Sequence, residues 1–199
     1  MDDVTAAIEV LLSAKKPLVI SGRGARGAHK ELCEFLDKLG GAYLDTGESK
    51  GLVPDSHPAV VAAMRGKVMG DADVIVTVGR RLDFQLAYGS PSVFGSAKFV
   101  RIGDIPTEVR DNRRGDIEIN ANPAKTLEAI NGLIGDRKSS ADREWIKALR
   151  EKHEERAQRL SESMATAPSD AEGRIHPNRV LAELQKHSGE DGVVVAGGG

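Results

Sequence analysis

A chain of 199 residues, 40% hydrophobic and 29% charged, is long enough for one domain and part of another. Its formal net charge of -2 gives no electrostatic reason to bind nucleic acid or an anionic membrane surface. No apolar run approaches the roughly 18 residues that span a bilayer, Met1-Asp2-Asp3-Val4 lacks the layout of a signal peptide, and a single cysteine, Cys33, excludes an intrachain disulfide, so a reducing, cytoplasmic setting is expected.

In chain order, Val4 to Ser13 reads as a helix with Val4, Ala7, Ile8 and Leu11 on one face, ended by Lys15-Lys16-Pro17. Leu18-Val19-Ile20 follows as a short strand, and a glycine-rich turn, residues 21–27, leads into a helix through Leu39. Ala42-Tyr43-Leu44 is a second strand, residues 46–57 a loop, and Pro58 to Met69 a helix carrying Val60, Val61, Met64 and Val68. Val74–Val78 and Phe99–Ile102 are continuous β-branched runs, the pattern of strands buried on both faces of a parallel sheet. A long connection with Phe84, Tyr88 and Phe94 separates them. Asp116–Ile119 is a further strand, and Asn122-Pro123 starts a helix to Ile134, asparagine as cap and proline at its first position. Asp142 to Ser163 is a long charged helix, Ala165 to Gly173 a linker, Pro177 to His187 a new helix and Val193–Ala196 a new strand.

The alternation predicts an α/β fold, a doubly wound, mostly parallel six-stranded sheet with helices on both faces, Rossmann-like. Val74–Val78 is expected at its centre. Residues 1–165 form the first domain, and 166–199 a linker with the truncated start of another.

Candidate chemistry gathers at the carboxyl ends of strands, where open α/β sheets bind ligands. Gly22-x-Gly24-x-x-Gly27 matches the dinucleotide fingerprint, placed between a strand and a helix, with Asp45 near the expected distance. In such a loop glycines let a pyrophosphate approach the backbone, and a helix amino terminus favours negative charge. Arg23 and Arg26, however, sit where such loops usually carry small residues. Gly79-Arg80-Arg81 offers fixed positive charge suited to phosphate, and Gly103-Asp104 a carboxylate suited to ribose hydroxyls. The five histidines are scattered with no metal-ligand spacing, so no metal site is expected, and Cys33 reads as core filler. His57 stands in a loop with no carboxylate or cysteine partner nearby in sequence, so it reads as structural.

The segment Lys50-Gly51-Leu52-Val53-Pro54-Asp55-Ser56-His57-Pro58 resembles the "KG-hydrophobic-hydrophobic-P-x-x-HP" loop in the central domain of thiamine-diphosphate-dependent enzymes of the acetolactate synthase and oxalyl-CoA decarboxylase group. Residues 71–84, from Asp71 to Phe84, resemble the same domain's "ADvvl-vG-x-r-l-d" strand and turn; residues 99–105 resemble its next strand with the "D-I" ending, and Gly115-Asp116 its later "GD". Arg174-Ile175-His176-Pro177 and Val193-Val194-Val195 resemble the entry to the carboxyl-terminal diphosphate-binding domain, although Gly197 stands where relatives often place aspartate.

The resemblance implies a central, DHS-like NAD/FAD-binding domain from a three-domain enzyme acting on 2-oxo acids or 2-hydroxyacyl compounds, a transferase or lyase like acetolactate synthase. Thiamine diphosphate and magnesium would belong to the full-length enzyme and not to this fragment, which would carry no catalytic residue and be inactive alone. Its implied contacts to FAD or ADP are Gly22, Arg23, Gly24, Gly79, Arg80, Arg81, Asp104, Ile105 and Asp116. The implied partners are the other domains of the same enzyme, in a homodimer or homotetramer, with neither nucleic acid nor membrane. Two alternatives stand beside it: an NAD-dependent oxidoreductase domain using the glycine loop, and a stand-alone nucleotide-binding module.

Overall fold

The computed structural model describes residues 2–188. Its centre is a parallel sheet of five strands: β1 (Pro17–Ser21), β2 (Ala42–Leu44), β3 (Val74–Val78), β4 (Lys98–Gly103) and β5 (Ile117–Asn120), in the order β2-β1-β3-β4-β5. Every residue of β1, β2 and β3 is buried, which explains why they are apolar apart from Ser21 and Thr77: helices cover both faces and leave no strand position for water. β3 lies in the middle, as expected, with Val76 opposite Val19 on one side and Val100 on the other.

Strand side chains alternate between two cores. Val19, Val76 and Val100 pack with Ala7 and Leu11 of α1 (Asp2–Ser13), Leu32 and Phe35 of α2 (His29–Leu39), and Leu127 and Ile130 of α6 (Pro123–Ile134). Leu18, Ile20, Ile75 and Phe99 pack on the other face with Val68 of α3 (Arg65–Asp71), Phe94 of α4 (Pro91–Phe94), and Trp145 and Leu149 of α7 (Arg143–Thr166). One further short helix, α5 (Pro106–Val109), follows β4. The caps follow ordinary chemistry: the Asn122 side chain accepts from the Lys125 N–H at 3.1 Å with Pro123 in the first turn, and Gly40 closes α2 in the left-handed conformation.

The structure departs from the sequence reading in two places. The sheet has five strands rather than six, and the expected strand Val193–Ala196 lies outside the described residues. The helix expected over Pro58 to Met69 does not start at Pro58. Instead Tyr43 N–H donates to Ala59 O at 2.7 Å and Val61 N–H to Tyr43 O at 3.3 Å, so Val60 forms a parallel bridge beside β2. Two adjacent valines, Val60 and Val61, suit that extended edge better than a first helical turn. Helix begins only after it, as a 3-10 turn over Ala62–Met64 running into α3.

The chain divides into two compact units between His153 and Glu154, inside α7. In the second unit α8 (Pro177–His187) buries Ala182 and exposes Val180, Leu181 and Leu184. Among the described residues no helix is long and apolar enough to cross a membrane.

Candidate functional site

Three strand ends are joined by backbone hydrogen bonds at the carboxyl edge of the sheet. Gly22 N–H donates to Val78 O at 3.0 Å, Gly24 N–H to Gly79 O at 3.0 Å, and Gly79 N–H to Ile102 O at 2.8 Å. A Cβ on Gly24 would lie 2.9 Å from Gly79 Cα; one on Gly79, whose φ is +55°, would lie 2.3 Å from Gly24 C. Gly22 and Gly24 are therefore explained by two chain segments in van der Waals contact, and Gly27 by its left-handed φ of +88°. The amides of Ala25 and Arg26 are also engaged, by Gly22 O and Arg23 O. Most of the loop's donors face protein carbonyls rather than an open anion site, which removes the main support for the NAD oxidoreductase reading.

Above this junction lies a cleft of about 230 Å³ lined by Arg23, Thr46, Glu48, Gly79, Arg80, Arg81, Asp83 and Glu108. Arg80 donates to both Asp83 carboxylate oxygens, at 2.9 and 2.8 Å, and to Gln85 Oε1 at 3.0 Å. Arg80 is nearly buried and its Nε has no partner among the described residues. Its hydrogen bond holds the Asp83 carboxyl below the usual carboxylate range. Arg81 and Arg23 are more than half exposed; Arg81 Nε reaches Asp83 at 3.1 Å and Arg23 Nη2 reaches Glu108 Oε1 at 2.7 Å. Arg26 pairs with Glu48. Thr46, in the cleft lining, belongs to a buried hydroxyl cluster: Ser21 Oγ lies 2.5 Å from Tyr43 OH and 2.9 Å from Ser49 Oγ, and Thr46 Oγ1 donates to Ser21 O at 2.6 Å. Burial pushes the Tyr43 phenol up to about 12, so it stays neutral.

A neighbouring hollow of about 410 Å³ shares Arg81, Asp83, Phe84 and Glu108 with the cleft and adds Tyr88. Phe84 and Tyr88 are 70% and 55% exposed, whereas Phe35, Tyr43, Phe94 and Phe99 are fully buried and Trp145 nearly so. Ala87 and Tyr88 have φ of 46° and 53°, a left-handed geometry that non-glycine residues rarely hold. Asp104 and Ile105 line a separate crevice of about 10 Å³, room for about one water molecule. Of the expected contacts, Gly22, Arg23, Gly24, Gly79, Arg80, Arg81, Asp104 and Ile105 are thus brought to the same edge. Asp116 is not. It stands at the opposite, amino edge, where its carboxylate accepts from Phe99 N–H at 2.8 Å and ties β5 to the start of β4.

Sequence reasoning missed the residue that organises this edge. Arg101, fully buried in β4, donates from Nε to Thr77 Oγ1 at 2.9 Å, from Nη1 to Asp111 Oδ1 at 2.9 Å and Arg113 O at 2.7 Å, and from Nη2 to Glu108 O at 2.7 Å and Arg80 O at 3.3 Å. One guanidinium therefore holds the loops after β3 and β4 that wall the cleft. An arginine inside the apolar run Phe99–Ile102 was the available signal, since a buried charge must be paired. Glu108 was also missed, because its arginine partner, Arg23, lies 85 positions away in sequence. His57 and Cys33 have structural surroundings: His57 Nδ1 accepts from Ala59 N–H at 3.2 Å with Nε2 3.3 Å from Asp37, and burial, with Asp37 adding to it, raises the Cys33 thiol. Among the described residues, no group of three or more His, Cys, Asp and Glu side chains is placed to hold a metal ion.

Residues 4–130 match the family model described as thiamine pyrophosphate enzyme, central domain. The chain is 28% identical to oxalyl-CoA decarboxylase of Escherichia coli over 82% of this chain and 29% of that protein. It is 35% identical to 2-hydroxyacyl-CoA lyase 1 of Mus musculus over 75% of this chain and 26% of that protein. Among solved structures, the thiamine diphosphate-dependent 4-hydroxybenzoylformate decarboxylase of Rhodococcus jostii superposes with a TM-score of 0.57 at 22% identity, over 70% of this chain and 28% of that one, a likeness of fold. The chain spans less than a third of the length of each of these proteins.

Proposed function

The chain belongs to the thiamine pyrophosphate enzyme family as its central domain, and from that premise we propose that it is the nucleotide-binding middle of a lyase or decarboxylase that breaks a carbon–carbon bond next to a carbonyl. The named relatives act as oxalyl-CoA decarboxylase and 2-hydroxyacyl-CoA lyase. They favour an acyl-CoA substrate over the acetolactate synthase chemistry implied by sequence motifs. The full-length protein then works as a cytoplasmic homodimer or homotetramer, with residues 1–165 as the central domain and 166–199 leading into the next.

Thiamine diphosphate supplies the carbanion chemistry in this family. The described residues do not fit it: the cleft carboxylates each face an arginine, and no set of ligands for its magnesium is assembled. No step of the reaction is therefore assigned to this chain, whose role is to bind and to position its neighbours.

The observation that carries the nucleotide site is the convergence of Arg23, Arg80 and Arg81, from two different strand ends, on one cleft. Arginines suit the diphosphate of ADP or FAD. The cleft alone is small for a nucleotide, but with the hollow beside Phe84 and Tyr88 the space reaches the range of ligand pockets. Asp104 and Ile105 line a crevice that meets this space at Glu108, and Asp104, exposed at its rim, then serves the ribose hydroxyls from outside the crevice. Calorimetry of the chain with ADP, FAD and NAD tests this. We expect ADP or FAD to bind, NAD to bind worse, and Arg23→Ala with Arg81→Ala, both largely exposed, to weaken binding without loss of fold. No heat with ADP or FAD removes the site. Pure chain supplied with thiamine diphosphate and magnesium should turn over no 2-oxo acid.

A further inference from the structure

We infer that Glu108 is an internal competitor for the anion site: its carboxylate occupies the place of one ligand phosphate on Arg23, and a diphosphate must displace it. The inference rests on the nucleotide reading above and adds what controls entry. Glu108 projects from α5, after β4, while Arg23 follows β1, so their contact at 2.7 Å ties together two loops far apart in sequence. Glu108 also lines the main cleft, the aromatic hollow and the crevice of Asp104, so it stands where the three meet.

Charge balance makes displacement necessary. The cleft is lined by three arginines, Arg23, Arg80 and Arg81, and three carboxylates, Glu48, Asp83 and Glu108, so it is neutral as it stands. A diphosphate brings further negative charge into it, and close like charges repel. A carboxylate has to leave, and the contacts decide which one. Asp83 is held by Arg80 through both oxygens, by Arg81, and by Gln85 N–H at 3.0 Å. Glu48 pairs with Arg26, which is not part of the cleft lining. Glu48 and Glu108 each have one side-chain partner among the described residues, both partners more than half exposed, but only Glu108's partner, Arg23, lines the cleft, so only the departure of Glu108 frees a cation there. The Glu108 main chain is fixed by Arg101 Nη2 on its carbonyl at 2.7 Å and by its own N–H on Ile105 O at 3.0 Å. The side chain can therefore rotate away while the backbone and the wall of the cleft stay in place. A singly charged anion gains too little on Arg23 to replace a carboxylate of equal charge, so Glu108 selects for diphosphates over monoanions.

The test is isothermal calorimetry with inorganic diphosphate, ADP and acetate on the wild-type chain, Glu108→Gln, Glu48→Gln and Glu108→Gln with Arg23→Ala. Glu108→Gln should bind diphosphate and ADP about tenfold more tightly, the scale expected when one ion pair and its repulsion are removed. Glu48→Gln removes the same charge from the same lining and should change affinity much less. The Arg23→Ala background should abolish the gain, and acetate should bind measurably only to Glu108→Gln. Equal affinity in wild type and Glu108→Gln, or an equal gain from Glu48→Gln, overturns the competitor while leaving the nucleotide site standing. No binding of ADP or diphosphate to wild type or Glu108→Gln overturns both. Circular dichroism on each variant confirms that the fold is kept; if Glu108→Gln proves unfolded, Glu108→Ala takes its place.

Discussion

Arg101 is the side chain whose removal should be felt most. Arg101→Met keeps a long flexible stem in β4 but deletes all donors of the guanidinium. Left behind are the Asp111 carboxylate, the Thr77 hydroxyl, and the carbonyls of Arg80, Glu108 and Arg113 around a buried side chain. Asp111 is only 13% exposed and, among the described residues, keeps just one donor, Leu82 N–H at 2.6 Å. Removing one partner of a buried pair costs about 3–5 kcal/mol, because the other charge stays buried and uncompensated. That is a large part of the roughly 5–15 kcal/mol that holds a domain folded. Urea denaturation followed by circular dichroism reads the loss as a lower midpoint at similar slope. Adding Asp111→Asn to Arg101→Met should recover part of it, since the residual charge is then gone. Arg101→Lys should lie between, as an ammonium has donors for only some of the acceptors. A loss below about 1 kcal/mol for Arg101→Met would refute the view that this guanidinium holds the edge together.

Three further outcomes follow from the geometry. Gly79→Ala combines a left-handed φ of +55° with a Cβ placed 2.3 Å from Gly24 C, so it should cost about 2–4 kcal/mol in urea titration, far more than Gly66→Ala, where a Cβ meets nothing within 4 Å. Glu118 is held at about 2, first by its hydrogen bond from Arg114; a depressed carboxylate stabilises above its ordinary value near 4.5 and loses that contribution as pH falls from there through about 2. Because Arg114 and Arg110 are exposed, the loss is about 1 kcal/mol, seen as a weaker acid dependence of stability in Glu118→Gln. Arg150 Nη1 lies within 3.0–3.1 Å of the carbonyls of Asp55, His57 and Val60, so Arg150→Ala should speed proteolysis within residues 50–60 and lower stability by about 1–3 kcal/mol.

The sequence by itself determined the layers. Runs such as Val74–Val78, apolar apart from Thr77, offer almost nothing to water, so they had to lie between two layers of helices, and helical spacing in α2 and α6 gave those helices an inner face. It also placed glycine and arginine at the strand ends and carried the motifs of the family. What only tertiary structure decided was which of those groups meet. Burial pattern is local and survives in the order of residues, but pairing across the sheet edge depends on strand order and loop path. Glu108 reaches Arg23 from 85 positions away, and Asp116 falls to the far edge although its motif suggested the near one. The glycine fingerprint makes the same point: three spaced glycines describe a tight turn, and only the fold shows that the space left at Gly22 and Gly24 is taken by the chain at Gly79 and Arg80, while Gly27 is there for its left-handed φ of +88°. The edge helix failed for a related reason, because Tyr43 offered the backbone of residues 59–61 a sheet partner that helix propensity at Pro58 could not outweigh.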